Sequence, residues 1–228
     1  MEDYKAVLFD LDGTLVDTAP DFVIAANALR AHKGLAPLPA EQIRPVVSNG
    51  SAAVTETALA LSRDDQSFEA NRQLLLDEYA LVLGQQSQLF PSLDPLLAEL
   101  ESAGIPWGIV TNKPFAYTEP LIKALTLENR CGALICPDHV ARAKPDPAGI
   151  ILGIEHLARH SEPLETKQCL YVGDHLRDIE AGKAAGCDTV AVAYGYLASD
   201  DKPEDWNADY LAPSPEKLCT LLGTLLLP

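Results

Sequence analysis

The sequence predicts an α/β fold: a doubly wound parallel sheet with a helical domain inserted after its first strand. Three observations lead there. Five short apolar runs are spread along the chain, and four of them meet polar residues at their C-terminal ends. Helix start and stop signals fall between the later runs. The stretch from 18 to 90 carries helical patterning and no strand signal of comparable quality.

Taken in order, AVLFD (6–10) is the first strand. Its apolar residues run on without alternation, as in a parallel strand covered on both faces. DFVIAANALRAHKG, then EQIRPVVSNGSAAVTETALALS, then a segment from about Asp65 to Leu83 read as helices, with a turn at RPVVSNGS (44–51). Pro95 and Gly104 bracket the next helix, a proline near its start and a glycine just past its end. WGIVTN (107–112) is the second strand, and Pro114 opens the helix after it. ALIC (133–136) is the third strand, and Pro147 opens a helix running to about His160. CLYVGD (169–174) is the fourth, followed by a helix over Asp178 to Ala185 that Gly186 closes. DTVAVAYG (188–195) is the fifth, and the C-terminal stretch 212–228 has apolar residues at helical spacing that pack on the core. Strand and helix in alternation give a doubly wound sheet. The expected division is a core of 1–16 and 90–228 and a helical cap of 17–89, with hinges near 15–18 and 88–92.

The 228 residues suit one domain carrying an insert, and 47% hydrophobic with 22% charged residues is enough to bury a core. With 17 Lys and Arg against 33 Asp and Glu, the formal charge is −16. A surface this negative argues against nucleic acid or an anionic membrane as partner. An anionic substrate would need a local cation. The N-terminus enters a strand-like run directly, so no signal peptide is expected. No apolar stretch reaches the roughly 18 residues of a membrane span. Five scattered cysteines without a CxxC pair read as reduced thiols of a cytoplasmic protein.

In an open parallel sheet, ligands bind outside the carboxyl ends of the strands. Those ends carry Asp10 and Asp12, Thr111 and Asn112, then Lys144 in AKPDP, then Asp174 and Asp178. Carboxylates packed together repel unless a cation sits among them. Magnesium fits, needing one or two carboxylates, water and a phosphate oxygen. Lys144 adds a positive point for phosphate. One aspartate can attack phosphorus and a second can move the proton, with Gly13 allowing a sharp turn after the pair.

Together, DLDGT (10–14), VTNKP (110–114), KPDP (144–147) and GDHLRD (173–178) resemble the motif set of the haloacid dehalogenase-like superfamily, which has a Rossmann-like core. The resemblance spans essentially the whole chain. A helical cap between the first two motifs resembles the subclass that includes the phosphoglycolate phosphatases. The resemblance implies that Asp10 is nucleophile and magnesium ligand. It implies that Asp12 is the general acid/base and binds the metal through its backbone carbonyl. It also implies that Thr111 and Lys144, with Asn112 beside them, hold the phosphoryl group, and that Asp174 and Asp178 complete the metal site. APDF (19–22), LICPDHV (134–140) and AVAYGYLASDDKPEDWNADY (191–210) are similar to the N-acetylmuramic acid 6-phosphate phosphatases of peptidoglycan recycling.

The expected partner is therefore a small phosphorylated substrate, met by a monomer or homodimer. 2-Phosphoglycolate is the alternative substrate, and a phosphoglucomutase-type phosphotransferase keeps both aspartates. A dehalogenase would leave Asp12 without acid/base work, and a non-catalytic module would not need the Asp10–Asp12 pair with Lys144 and Asp174. The core motifs handle only phosphate and metal, so the cap must choose the substrate. Arg44, Ser48, Asn49 and Gly50 in the 44–51 turn are the expected specificity residues, Arg44 by bidentate pairing with an anion. His175 reads as a helix-start histidine.

Overall fold

The computed structural model describes residues 4–159 and 163–227. The chain runs β1 (Ala6–Phe9), β2 (Val16–Asp17), α1 (Ala19–His32), α2 (Ala40–Ile43), a 3-10 turn (Arg44–Asn49), α3 (Gly50–Leu59), α4 (Phe68–Val82) and β3 (Gln88–Leu89). It continues through α5 (Leu93–Ser102), β4 (Trp107–Val110), α6 (Phe115–Ala124), β5 (Ala133–Ile135), α7 (Ala148–Ala158) and β6 (Cys169–Gly173). It closes with α8 (Leu176–Ala185), β7 (Asp188–Val192), β8 (Tyr210–Ala212) and α9 (Pro215–Leu226). His160, the expected end of α7, lies outside the described residues.

Six strands form one sheet in the order β5-β4-β1-β6-β7-β8, every neighbouring pair parallel. The chain builds outward from β1 to β5 on one side, then returns to build β6 to β8 on the other. That reversal beside β1 is the topological switch point of a doubly wound sheet. Successive residues of β1 serve opposite faces. Val7 and Phe9 pack with Leu93, Leu97, Leu121 and Leu218, whereas Ala6 and Leu8 pack with Ile150, Ile154 and Leu157. A strand that feeds two cores has no polar face to show, which is why the run reads as uniformly apolar.

Sequence reasoning missed β8. Tyr210–Ala212 is three residues long at the sheet edge and partly exposed, too short to carry a pattern. Helix starts moved by a residue or two. Ser92, at φ 68°, precedes α5, so Pro95 sits inside its first turn, where no intrahelical amide is required. α8 starts at Leu176, ahead of the expected Asp178, with His175 as its N-cap. The His175 Nδ1 accepts from Arg177 N at 3.2 Å, and His175 N donates to Asp178 Oδ2 at 3.1 Å.

The strand-poor stretch holds α1 to α4, which bury a cluster of their own: Phe22, Ala25 and Leu29 against Ile43, Val54, Leu75 and Tyr79. The turn expected at 44–51 separates α2 from α3. Pro45 lacks the amide that would continue α2, and Gly50 enters α3 at φ 78°. The chain leaves and re-enters the sheet through a short antiparallel ribbon, Val16 opposite Leu89 and Asp17 opposite Gln88. Buried Asp21 ties the return. Its carboxylate accepts from Gly84 N and Gln86 N at 2.8 Å and from Ser87 Oγ at 2.5 Å. All five cysteines are free thiols, and no helix of the described residues is long and apolar enough to cross a membrane.

Candidate active site

Three strand ends meet at the switch point. Asp10 follows β1, Thr111 follows β4 and Asp174 follows β6, while the loop before α7 brings Lys144 and the first turn of α8 brings Asp178. Asp10, Asp174 and Asp178 are all buried and present oxygens within 4.8 Å of one another. Lys144 Nζ lies 2.7 Å from Asp10 Oδ1 and 2.7 Å from Asp178 Oδ1, and it also donates to Val110 O and Tyr171 Oη. Burial alone would make that ammonium easier to deprotonate. Asp10 and Asp178 outweigh burial and hold its pKa well above the usual lysine value.

Three carboxylates against one ammonium leave the buried cluster negative. Burial pushes Asp174 up to about 8, with Asp10 and Asp178 adding to the push. Burial pushes Asp10 up to about 6 against the pull of Lys144. Asp178 Oδ1 is buried and receives no aligned hydrogen bond. A hard divalent cation with oxygen ligands suits this donor set. The backbone is shaped to the cluster. A Cβ on Gly13, which sits at φ +87°, would fall 2.2 Å from Asp174 Oδ2, and one on Gly195 would fall 2.3 Å from Asp174 Cβ.

Asp12 points elsewhere. Its Oδ1 accepts from Thr18 Oγ1 at 2.5 Å and from Lys113 Nζ at 2.9 Å. Lys113 is buried, donates also to Tyr79 Oη at 2.8 Å, and lies over the rings of Phe22 and Tyr79. A core lysine thus joins Asp12 to α4. Sequence reasoning quoted Lys113 within VTNKP and gave it no role; its neighbours come from distant segments that no local pattern links.

A cavity of about 300 Å³ opens over these groups. The core supplies Asp10, Asp12, Thr111, Asn112, Lys113 and Lys144; the helical segment supplies Ser48, Asn49, Gly50, Ser51, Arg72 and Tyr79. Thr111 is buried at the cavity wall, its Oγ1 accepting from Lys113 N at 3.1 Å. Asn112 also lines it, but its amide is committed. Its Nδ2 donates to Lys144 O at 2.9 Å and its Oδ1 accepts from Lys144 N at 3.0 Å, so it positions the lysine. Ser48 Oγ donates to Asp174 Oδ2 at 3.1 Å, and Arg177 donates to Ser48 O.

Arg44 is the correction. Expected at the substrate, it is absent from the cavity wall. Its Nη1 reaches both Asp17 oxygens at 2.9 Å and its guanidinium lies 5.0 Å over the Tyr196 ring. Tyr196 Oη in turn accepts from Thr18 N and Ala19 N at the start of α1 and donates to Asp17. Asp17 and Tyr196 have captured the arginine that the turn composition offered. Arg72 and Arg177 line the cavity instead. His175 keeps its structural part as N-cap, with burial and neighbouring Arg177 lowering its pKa, and it stacks on Trp206.

Comparison with known proteins agrees with this geometry. Residues 7–192 match the haloacid dehalogenase-like hydrolase family. The chain is 43% identical to an N-acetylmuramic acid 6-phosphate phosphatase of Pseudomonas aeruginosa, across 97% of this chain and 96% of that one. It is 42% identical to a phosphoglycolate phosphatase of Xanthomonas campestris pv. campestris, across 94% of each. Among solved structures, that of a predicted phosphoglycolate phosphatase from Haemophilus somnus superposes with a TM-score of 0.80 at 25% identity, covering 97% of this chain and 99% of that one. With its motifs gathered at one switch point and likeness running through nearly its whole length, the chain belongs to the haloacid dehalogenase-like hydrolases, and within them to the phosphatases.

Proposed function

We propose that this protein is a magnesium-dependent phosphomonoester hydrolase that works through an aspartyl-phosphate on Asp10. Its proposed substrate is N-acetylmuramic acid 6-phosphate, taken up in the cytoplasm during peptidoglycan recycling. The observation that carries the mechanism is the pairing of two differently held aspartates on one turn: Asp10 against Lys144 at 2.7 Å, and Asp12 against Lys113 at 2.9 Å.

Asp10 attacks phosphorus as the bond to the leaving oxygen breaks, and Asp12 gives that oxygen a proton. Asp12 then takes a proton from water, whose oxygen attacks the aspartyl-phosphate and frees Asp10. Lys144 and the Thr111 hydroxyl hold the phosphoryl oxygens in line. Asp10, Asp174, Asp178 and the Asp12 carbonyl would hold magnesium, which supplies positive charge for the transferring group. The helical segment 17–89 acts as a cap over the core of 1–16 and 90–228, excluding water from the intermediate.

The substrate reading is supported by the Pseudomonas relative and by the cavity. About 300 Å³ falls within the range of roughly 300–1,000 Å³ for ligand sites. A hexose derivative uses that room, whereas a two-carbon acid leaves part of it to water. 2-Phosphoglycolate stands as the alternative, supported by the Xanthomonas relative. The test is phosphate release with magnesium from each ester at equal concentration, with Asp10→Asn as the blank. We expect kcat/KM for the amino sugar phosphate to lead by at least about a hundredfold, and the Asp10→Asn rate to fall at least about ten-thousandfold. Phosphoglycolate leading by that margin would replace the substrate. Phosphate retained on a sugar isomer would reveal a phosphotransferase, and unchanged turnover in Asp10→Asn would sink the mechanism.

A further inference from the structure

We propose that Arg72, with the Ser51 hydroxyl beside it, forms a subsite for a carboxylate on the leaving group of the substrate. The inference rests on the phosphomonoesterase reading above and deepens it. In a chain of net charge −16, an acid approaching the cavity is repelled unless a cation within it is free to answer. Four cationic side chains line the cavity: Arg72, Lys113, Lys144 and Arg177. Lys144 is committed to Asp10 and Asp178 and Lys113 to Asp12 and Tyr79, while Arg177 donates to the Ser48 carbonyl and ties α8 to the 44–51 turn.

Arg72 differs from the two lysines in having an exposed counter-ion, and from Arg177 in standing on a helix of the opposite wall. Its Nε and Nη2 meet only Glu69 Oε2, at 3.0 and 2.8 Å, and the Glu69 side chain is 72% exposed. An ion pair so open to water is weakly held and exchanges readily. The remaining nitrogen, Nη1, makes one long contact of 3.3 Å to Ser51 Oγ. The guanidinium and the hydroxyl therefore stand together on the helical wall, while the phosphate-handling groups come from the core. A guanidinium fork matches a carboxylate in two parallel hydrogen bonds, and a hydroxyl can donate a third. N-Acetylmuramic acid 6-phosphate carries such a carboxylate on its lactyl ether, and N-acetylglucosamine 6-phosphate is the same ester without it.

The experiment reads the ratio of kcat/KM for these two esters in the wild type and in Arg72→Met. The wild type should favour the lactyl-bearing ester by about thirtyfold, the strength of charge-assisted hydrogen bonds. Arg72→Met should bring the ratio near one. Arg72→Lys, which keeps the charge and loses the fork, should fall between. Damage to the fold lowers both rates and leaves the ratio alone, so an unmoved ratio in Arg72→Met overturns the proposal, as does a wild type without preference. If the muramate ester is not hydrolysed at all, the substrate reading fails by itself. The same ratio is then read on 2-phosphoglycolate against ethyl phosphate, where its collapse in Arg72→Met supports the subsite and its persistence overturns it.

Discussion

The two walls of the cavity are built differently. On the core side Lys113, Lys144 and Asp174 are buried and each tied to several partners; Lys144 alone meets two carboxylates, a carbonyl and a phenol. On the helical side the contacts are fewer and wetter. Ser48 reaches Asp174 through one hydroxyl, and Arg72 leans on an exposed glutamate. The difference teaches that this molecule keeps the charges of its core wall preorganised and leaves those of its helical wall free to exchange partners. Preorganised charge costs no rearrangement at the moment of reaction. Loosely held charge costs little to redirect onto a ligand.

Three changes would break or sharpen that contrast. The largest effect is expected at Lys144. Arg or Gln cannot reproduce a compact ammonium at that point, and Lys144→Met leaves Asp10 and Asp178 facing each other without it. Removing one side of a buried ion pair costs about 3–5 kcal/mol. Chemical denaturation should show a loss of that size, and phosphate release should fall at least about a hundredfold. A mild Lys144→Met would erase the distinction between the walls.

The second expectation concerns magnesium and pH. Asp10 and Asp174 lie above the ordinary carboxylate range in the folded protein, at about 6 and about 8. The metal-free fold therefore holds protons that the unfolded chain has already released, so its stability declines as pH rises through those values. A divalent cation bound at the cluster would replace these protons. Thermal stabilisation by magnesium should thus grow from about pH 5 to about pH 8, reaching about 2.7 kcal/mol at a hundredfold excess over the dissociation constant. A stabilisation that is flat across this window would mean that the ion does not bind at the carboxylate cluster.

The smallest effect is expected at Ser48. Ser48→Ala removes one hydrogen bond of 3.1 Å to Asp174, a carboxylate that also accepts from Tyr196 N at 2.9 Å. A net loss of about 0.5–1.5 kcal/mol corresponds to a few-fold rise in KM with kcat nearly kept. A fall in kcat as large as that of Lys144→Met would place Ser48 with the core wall.

Five of the six sheet strands, and the polar residues that gather at the ends of three of them, were legible in the sequence. Each buried parallel strand is a short apolar run, and β1, β4 and β6 end where the polar residues of the cavity and the carboxylate cluster begin. That arrangement is local: Asp10 follows Phe9, and Asp174 follows Gly173, whatever the rest of the chain does. The helical segment was legible as a block, and its joint at 44–51 was marked by Pro45 and the Asn49–Gly50 pair.

What the sequence determined by itself was which chemistry is present and at which edge of the sheet it stands. What only the tertiary structure decided was which partner each polar side chain takes. Arg44 and Arg72 are both arginines on the helical segment, and the turn around Arg44 pointed to the one that the cavity does not use. Arg44 went to Asp17 and Tyr196, while Arg72 went to the cavity wall. Lys113 met Asp12, 101 residues away in the chain, and Tyr79 together. The physical reason is reach. Hydrophobic periodicity reports on neighbours a few residues apart, whereas ion pairs are chosen by which faces meet after the helical segment and the sheet have packed.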